Sequence, residues 1–478
     1  MELHTKFTEE HANEKLTKQE GNFSPLTYGT GFIGLFSDKY KKYYSTDFKS
    51  AIVAFGEKSG ISFFNFKKYQ MSTKEILEKF INGDLEIFEE LNKLSEEIRE
   101  LYKNNPPEKL ANMSQDKIKE TIIFLFNKLY DAQTLTLFCE ALDEEIIKGY
   151  IEDEIKFNQF IENLNIVSFE TFIHRLNKEI LDYIESKNNY SVQWLLCDYI
   201  RAPFLEEVES KLLDSILKNK SLTRIKEEII EFEGQLMKNK NSVSAYFNSL
   251  NDLKLKALFN FSKESIYIRD SRKELFFKLI TLLTNAVREL LSRHNIEKQD
   301  IIYSTYSDFK TGLYKIDLYS KILQKRKNGF LVYFNHAGQQ MSYADYISSK
   351  NLLQILIFPE LDNSITGKIA SKGRVIGTAK IIFDEKDFYK INQGDILVSS
   401  MTRPEFVPIM NKASAIVTDE GGITCHAAII SREMRKPCIV GTENATRAIT
   451  DGDLIEVDAE INGIIRIIQK NLENSFIS

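Results

Sequence analysis

The sequence predicts a multidomain chain: a large, mostly α-helical N-terminal region, then a C-terminal α/β domain from about residue 360. Three observations predict it. A length of 478 residues suits two to four domains. Pro203 is the sole proline between Pro107 and Pro359, as a helix-rich stretch requires. Short β-type runs dominate only after residue 360.

Residues 1–70 read as a mixed α/β opening segment, in which 51–66, AIVAFGEKSGISFFNF, reads as two strands around a Gly-containing turn. Residues 71–350 read as a helical domain. Ser72-x-x-Glu75 fits a capping box, with Ile76, Leu77, Phe80 and Ile81 at helical spacing behind it. Asn82-Gly83-Asp84 breaks that helix, and Pro106-Pro107 ends the next. Further helices are predicted over 114–130, 168–187, 206–218 and 270–294. Residues 360–470 read as the α/β domain, with strand runs at 375–383, 395–400, 415–418, 438–440, 454–457 and 464–468. Helices are expected at 404–412 and 424–434, and Asn462-Gly463 suits a tight hairpin turn.

Composition narrows the function classes. Hydrophobic residues make up 43% and charged residues 28%, a globular balance. The formal net charge of -6 argues against nucleic acid as partner. No uncharged apolar run reaches the length of a membrane span, and the N-terminus lacks the apolar core of a secretory signal. Cys139, Cys197, Cys425 and Cys438 form no CxxC pair and no metal cluster, which favours reduced thiols in a cytoplasmic protein.

The stretch that carries chemistry runs from Thr418 to Glu433. A strand enters Gly421-Gly422, and a helix is expected from about Thr424, which suits an N-cap. The glycines permit close approach to the main chain, and His426 falls in the first turn, where free N–H groups favour an anion. Neutral imidazole is a competent nucleophile near pH 7. His426 is therefore the candidate catalytic residue, with Gly421, Gly422, Thr424 and Arg432 as candidate phosphate supports. Arg432, six positions on, does not share the helical face of His426. An isolated histidine in such a place is more often structural; the surrounding glycines, hydroxyl residue and Ala-Ala shift the balance.

GGITCHAAIISREMRKPCIVG resembles the phosphohistidine signature of the phosphoenolpyruvate-utilising enzymes, among them phosphoenolpyruvate synthase, pyruvate phosphate dikinase and rifampicin phosphotransferase. GKIASKGRVIGTAKII (367–382) and the stretch 394–422 resemble the flanks, with Lys372 where a proline is usual. Upstream, 7–29 and 267–309 are similar to parts of the rifampicin phosphotransferase-like acceptor region. The resemblance implies a β/β/α swivelling phosphohistidine domain over 360–470 and an acceptor-binding region over 1–350. It further implies a phosphotransferase that carries a phosphoryl group on His426 from ATP or phosphoenolpyruvate to a small-molecule acceptor. Only six residues precede FTEEHANEKL, so an ATP-grasp protein or domain is expected in trans, with ATP and Mg²⁺ bound outside this chain. A phosphocarrier or regulatory protein without acceptor chemistry is the alternative.

Other signals are weaker. Gly29-Thr30-Gly31-Phe32-Ile33-Gly34 matches GxGxxG but lacks a preceding strand and a matching acidic residue. Arg269 and Arg272 are candidates for holding an anionic acceptor, set against a solvated helix face paired with Asp270 and Glu274. His174 and His294 read as structural or surface residues, and His4, His11 and His336 show no partner pattern. No metal site is predicted.

Overall fold

The structure is a computed structural model that describes residues 6–7, 10–11, 16–21, 24–26, 35–56, 60–197, 201–212, 221–297, 299–315, 318–335, 338–342, 365–460 and 463–469. The GxGxxG stretch at 29–34, His4, His336 and Asn462 lie outside the described residues. The chain divides into two compact units, residues 1–16 with 22–352 and residues 17–21 with 353–478.

In the first unit, helix α1 (Asp38–Tyr43) precedes strands β1 (Ser50–Phe55) and β2 (Gly60–Phe64), the two strands that the sequence predicts over 51–66. Helix α2 (Phe66–Ile81) begins earlier than Ser72-x-x-Glu75 suggests. Asn65 supplies the cap, its side chain accepting from Lys68 N–H at 3.3 Å, while Ser72 and Thr73 are buried inside the helix. Helix α3 (Glu86–Asn104) stops before Pro106, where the prolines end it. Helix α4 (Gln115–Thr136) starts at the hydroxyl of Ser114.

Helix α5 (Leu222–Ser249) leads into α6 (Leu253–Ser292), 40 residues that reach about 60 Å. From Lys278 to Arg288 every residue of α6 is buried, so this half runs through the core rather than along its surface. The polar side chains caught there are bonded: Lys278 to Glu274 at 2.8 Å, Asn285 to Gln193 at 2.9 Å, Arg288 to the carbonyl of Pro203 at 2.9 Å. Strands β3 (Phe330–Asn335) and β4 (Gly338–Ser342) close the unit. β3 pairs antiparallel with β1, Ile52 opposite Tyr333, so residues almost three hundred positions apart share one sheet and one core.

The second unit is an eight-stranded barrel-like sheet with helices on its outside. Its strands are β5 (Ile365–Thr366), β6 (Lys368–Ser371), β7 (Arg374–Ile381), β8 (Ile396–Ser399), β9 (Ala415–Thr418), β10 (Cys438–Val440), β11 (Leu454–Asp458) and β12 (Ile464–Gln469). Strands β7 to β10 lie parallel, and β10–β6, β7–β11, β11–β12 and β12–β5 pair antiparallel. The edge strands β5 and β6 are consecutive in the chain and joined by Gly367, so the sheet returns to itself. Gly367 N–H donates to the Gly463 carbonyl at 2.8 Å. A Cβ there would stand 2.6 Å from Ile439 Cγ2 and 2.8 Å from the Val440 carbonyl, so only glycine closes this seam.

Period-two alternation supplies two cores. Ile396, Val398, Ala415, Val417 and Ile439 face the interior with Ile455 and Val457. Their neighbours Leu397, Ile416, Cys438 and Val440 face outward and are covered by helices α7 (Val407–Lys412) and α8 (His426–Glu433). Each large aliphatic side chain so buried contributes about 1.5–3 kcal/mol. No helix among the described residues is long and apolar enough to cross a membrane.

Candidate functional site

Strand β9 ends at Thr418, and the loop after it is pinned before the histidine is reached. Asp419 N–H donates to the Ser399 carbonyl at 3.1 Å and Glu420 N–H to that of Ser400 at 2.9 Å, extending the β8–β9 ladder. The Asp419 carboxylate accepts from Thr446 N–H at 3.0 Å, from the Thr442 hydroxyl at 3.2 Å and from the Thr446 hydroxyl.

The two glycines then serve different ends. Gly421 has φ +109°, and a Cβ on it would stand 2.7 Å from Cys425 Sγ, so the turn demands glycine. Gly422 would carry a Cβ with no atom within 4 Å, so the space beside it is open.

Helix α8 opens at His426, with Cys425 as N-cap in extended conformation, one residue later than the expected cap at Thr424. Thr424 is half-buried in the preceding turn and makes no side-chain hydrogen bond among the described residues. Burial pushes the Cys425 thiol up, offset by the amides of Ala428 and Ala427 and by the charge of Arg432. Ala427 and Ala428 are small enough for α8 to lie close on β6 and β10, which seats the half-exposed His426 at the edge of the outer core.

Thr402 is the residue that sequence reasoning missed. It lies in the turn after β8, is 8% exposed, and its Oγ1 stands 2.8 Å from His426 Nδ1. With Nδ1–H donating to that oxygen, Nε2 keeps its lone pair. The only sequence signal was its place in the stretch 394–422 leading to the histidine.

Arg432 donates from Nη2 to the Ile423 carbonyl at 2.8 Å and from Nη1 to that of Ala370 at 3.3 Å. Its guanidinium ties the glycine loop to β6. The structure thus gathers His426, Gly421, Gly422 and Arg432 around one loop and adds Thr402.

Arg269 and Arg272 belong to α6 of the other unit. They do not pair with Asp270 and Glu274. Asp270 accepts from Phe172 N–H at 2.6 Å, and Glu274 binds Arg99 at 3.1 Å and Lys278 at 2.8 Å. Arg272 pairs with Glu140 and lines a cavity that Arg269 does not reach. His174 is buried, stacked on Phe232 with ring centroids 4.4 Å apart, and His294 meets Tyr314 edge-on. His11 is also buried and has a partner after all, Ser50 Oγ at 3.0 Å. Among the described residues no group of three or more His, Cys, Asp or Glu side chains could hold a metal ion.

Residues 391–461 match the family model described as PEP-utilising enzyme, mobile domain. The chain is similar to a probable phosphoenolpyruvate synthase of Archaeoglobus fulgidus, 50% identical over 112 residues, which is 22% of this chain and 15% of that protein. It is similar to the phosphoenolpyruvate synthase of Pyrococcus furiosus, 43% identical over 120 residues, 24% of this chain and 15% of the other. The phosphoenolpyruvate synthase of Escherichia coli K12 is 48% identical over 97 residues, 19% and 12% of the two chains. The match thus spans about 15% or less of the length of these relatives. The similarity to the mobile domain of the phosphoenolpyruvate-utilising enzymes thus lies in the C-terminal unit, over residues 391–461.

Proposed function

We propose that this chain is a phosphotransferase component in which His426 receives a phosphoryl group and passes it to a small acceptor bound by the helical unit. The observation that carries the reading is the 2.8 Å contact between Thr402 Oγ1 and His426 Nδ1, on a ring beside an open glycine loop. With Nδ1–H as donor, this contact orients the imidazole and makes Nε2 the unprotonated nitrogen.

In the first half-reaction, Nε2 attacks phosphorus, the bond to the donor's leaving oxygen breaks, and that oxygen takes the electron pair. In the second, an acceptor oxygen attacks phosphorus, and the P–N bond returns its pair to Nε2. Splitting the transfer lets one nucleophile serve two separate pockets. Positive charge that builds on the ring is shared through Nδ1–H with Thr402, and the amides of the Gly422 turn receive the phosphoryl oxygens. Arg432 and the threonine-bound Asp419 hold the loop still, so the donors need little reorganisation.

The donor is phosphoenolpyruvate, or ATP bound with Mg²⁺ on a separate ATP-grasp protein. The names of the relatives support the first, and the family resemblance supports the second. With ATP as donor, Mg²⁺ would be held on the ATP-grasp protein and would offset charge on the transferring phosphates. The cytoplasm, where both donors occur, is the proposed location.

The test is labelling. The chain is incubated with labelled phosphoenolpyruvate, or with ATP, Mg²⁺ and a candidate ATP-grasp partner, and acid-labile protein phosphate is measured. Label that is absent from His426→Ala and discharged to a small molecule supports the reading. Label that persists in His426→Ala overturns it. Label that no small molecule ever discharges leaves a carrier without acceptor chemistry.

A further inference from the structure

The helical unit holds a cavity of about 210 Å³ between α3 and α6. Leu91, Ile268 and Leu275 give it an apolar side, and Arg99 and Arg272 bring two guanidinium groups to it.

Each guanidinium is anchored at one end and unengaged at the other. Arg99 donates from Nε to Glu274 at 3.1 Å, and its two terminal amino groups make no hydrogen bond among the described residues. Glu274 does not cancel that charge alone, because Lys278 at 2.8 Å and Arg175 at 3.5 Å share the same carboxylate. Arg272 meets Glu140 through Nη1, which leaves its Nε and Nη2 without a hydrogen bond among the described residues. Its side chain is only 17% exposed, so these donors are largely out of bulk water. Guanidinium groups fixed in this way present a ready fork to a carboxylate.

The remaining lining is polar: Asn92 and Tyr267 can donate or accept, and two serines and a carboxylate add acceptor oxygens. Ser95 spends its proton on the Leu91 carbonyl at 2.7 Å and Ser271 on that of Ile268 at 3.4 Å, so both hydroxyl oxygens face the cavity as acceptors. Glu96 adds a carboxylate to the lining, within electrostatic reach of Arg99. A molecule with a carboxylate at one end and a donor beside it satisfies both sets.

We infer that this cavity binds a small α-amino acid, its carboxylate held by Arg99 and Arg272 and its ammonium by Glu96 and the serine oxygens. Only the identification of that amino acid as the phosphoryl acceptor rests on the function proposed above; the binding does not.

Isothermal titration of the full-length protein tests it, with the twenty common L-amino acids, L-lactate and inorganic phosphate as probes. At least one small amino acid binds the wild type, and L-lactate, lacking the ammonium, binds more weakly than L-alanine. Arg99→Gln removes charge-assisted hydrogen bonds and weakens the amino acid about tenfold to a hundredfold. Ser95→Phe fills the cavity and abolishes binding. Thermal unfolding close to wild type shows that both variants fold; Ser95 is partly exposed, and Lys278 keeps the buried Glu274 paired when Arg99 is replaced. Binding of phosphate alone, of no amino acid, or of an amino acid equally by Arg99→Gln overturns the inference. His426→Ala binds like wild type while losing label, which separates failure of the cavity from failure of the transfer reading.

Discussion

Replacing Thr402 by Val tests how the imidazole is prepared for phosphoryl transfer. Valine keeps the branched shape at this 8% exposed position and removes the hydroxyl that stands 2.8 Å from His426 Nδ1. In the resting protein this is a neutral hydrogen bond, worth about 0.5–1.5 kcal/mol. As Nε2 bonds to phosphorus the ring gains positive charge, and the same contact becomes charge-assisted, worth about 1.5–3 kcal/mol. The difference, about 1–2 kcal/mol, is the part felt by the rate. At about 1.4 kcal/mol per factor of ten it slows labelling roughly five- to thirtyfold. The ground-state loss, about 1 kcal/mol, lowers the melting temperature of a domain this size by a few degrees. Thr402→Ser, which restores the oxygen, recovers most of the rate. The assay is rapid-quench labelling, with ³¹P NMR to separate Nε2 from Nδ1 phosphohistidine. Wild-type label falls on Nε2. Equal labelling rates for Thr402→Val and wild type, or wild-type label on Nδ1, would refute the reasoning.

The adjacent glycines divide fold from chemistry. Gly421→Ala forces a side chain to φ +109° and a Cβ to 2.7 Å from Cys425 Sγ, costing about 1–3 kcal/mol in the backbone alone, seen as a lower melting temperature. Gly422→Ala meets no atom within 4 Å, so stability stays within about 0.5 kcal/mol of wild type while labelling falls, because the methyl occupies the path of the phosphoryl oxygens. The opposite pattern in melting and labelling would sink this assignment. In the helical unit, burial acts to raise the Glu90 carboxyl, but hydrogen bonds from Lys39, Tyr43 and Lys42 outweigh it and hold the group down to about 2. A depressed carboxylate contributes stability above its unfolded value near 4.5 and loses it as pH falls through about 2. Urea titrations of Glu90→Gln and wild type therefore differ near pH 6 and converge near pH 2; a gap of constant size refutes the ion-pair account.

The C-terminal unit was legible because its patterns are local. Strands such as Ile396–Ser399 and Ala415–Thr418 are short apolar runs bounded by glycine, polar loops and helix caps, and the structure places them where their spacing predicts. Two strands escaped notice, Ile365–Thr366 and Lys368–Ser371. They are too short to show a period, and they exist as strands because Gly367 lets the sheet meet itself, a long-range event. The same limit explains Phe330–Asn335. Its apolar run follows a long helical stretch, and its partner, Ser50–Phe55, lies far off in sequence. The start of the helix at Phe66 was misplaced for a local reason. Asn65 and Ser72 are both sound caps, and burial of Ser72 beside the Tyr40 hydroxyl, 3.3 Å away, decided between them.

The site divides along the same line. His426 and the glycines were readable because the chain itself juxtaposes them: a glycine pair, three residues, a histidine at a helix start. Thr402 was not, because nothing in the sequence says that the turn after one parallel strand reaches the helix after the next. That proximity follows from the β8–β9 register, Ser399 beside Thr418, which sets the two strand ends level. The loops beyond them then meet through the Asp419–Ser399 and Glu420–Ser400 hydrogen bonds. Ligand groups in parallel sheets gather at the carboxyl ends of strands for this reason. Arg432 shows the converse. Its residue type suggested phosphate, yet its position gives two of its donors to carbonyls of the scaffold, Ile423 and Ala370. A guanidinium spent on the loop makes that loop rigid, and a rigid loop is what a transient phosphoramidate needs if its donors are to stay aligned through both transfers. In the transfer proposed above, the cation named in sequence as a phosphate support also acts on the backbone that would receive the anion, through these two carbonyls.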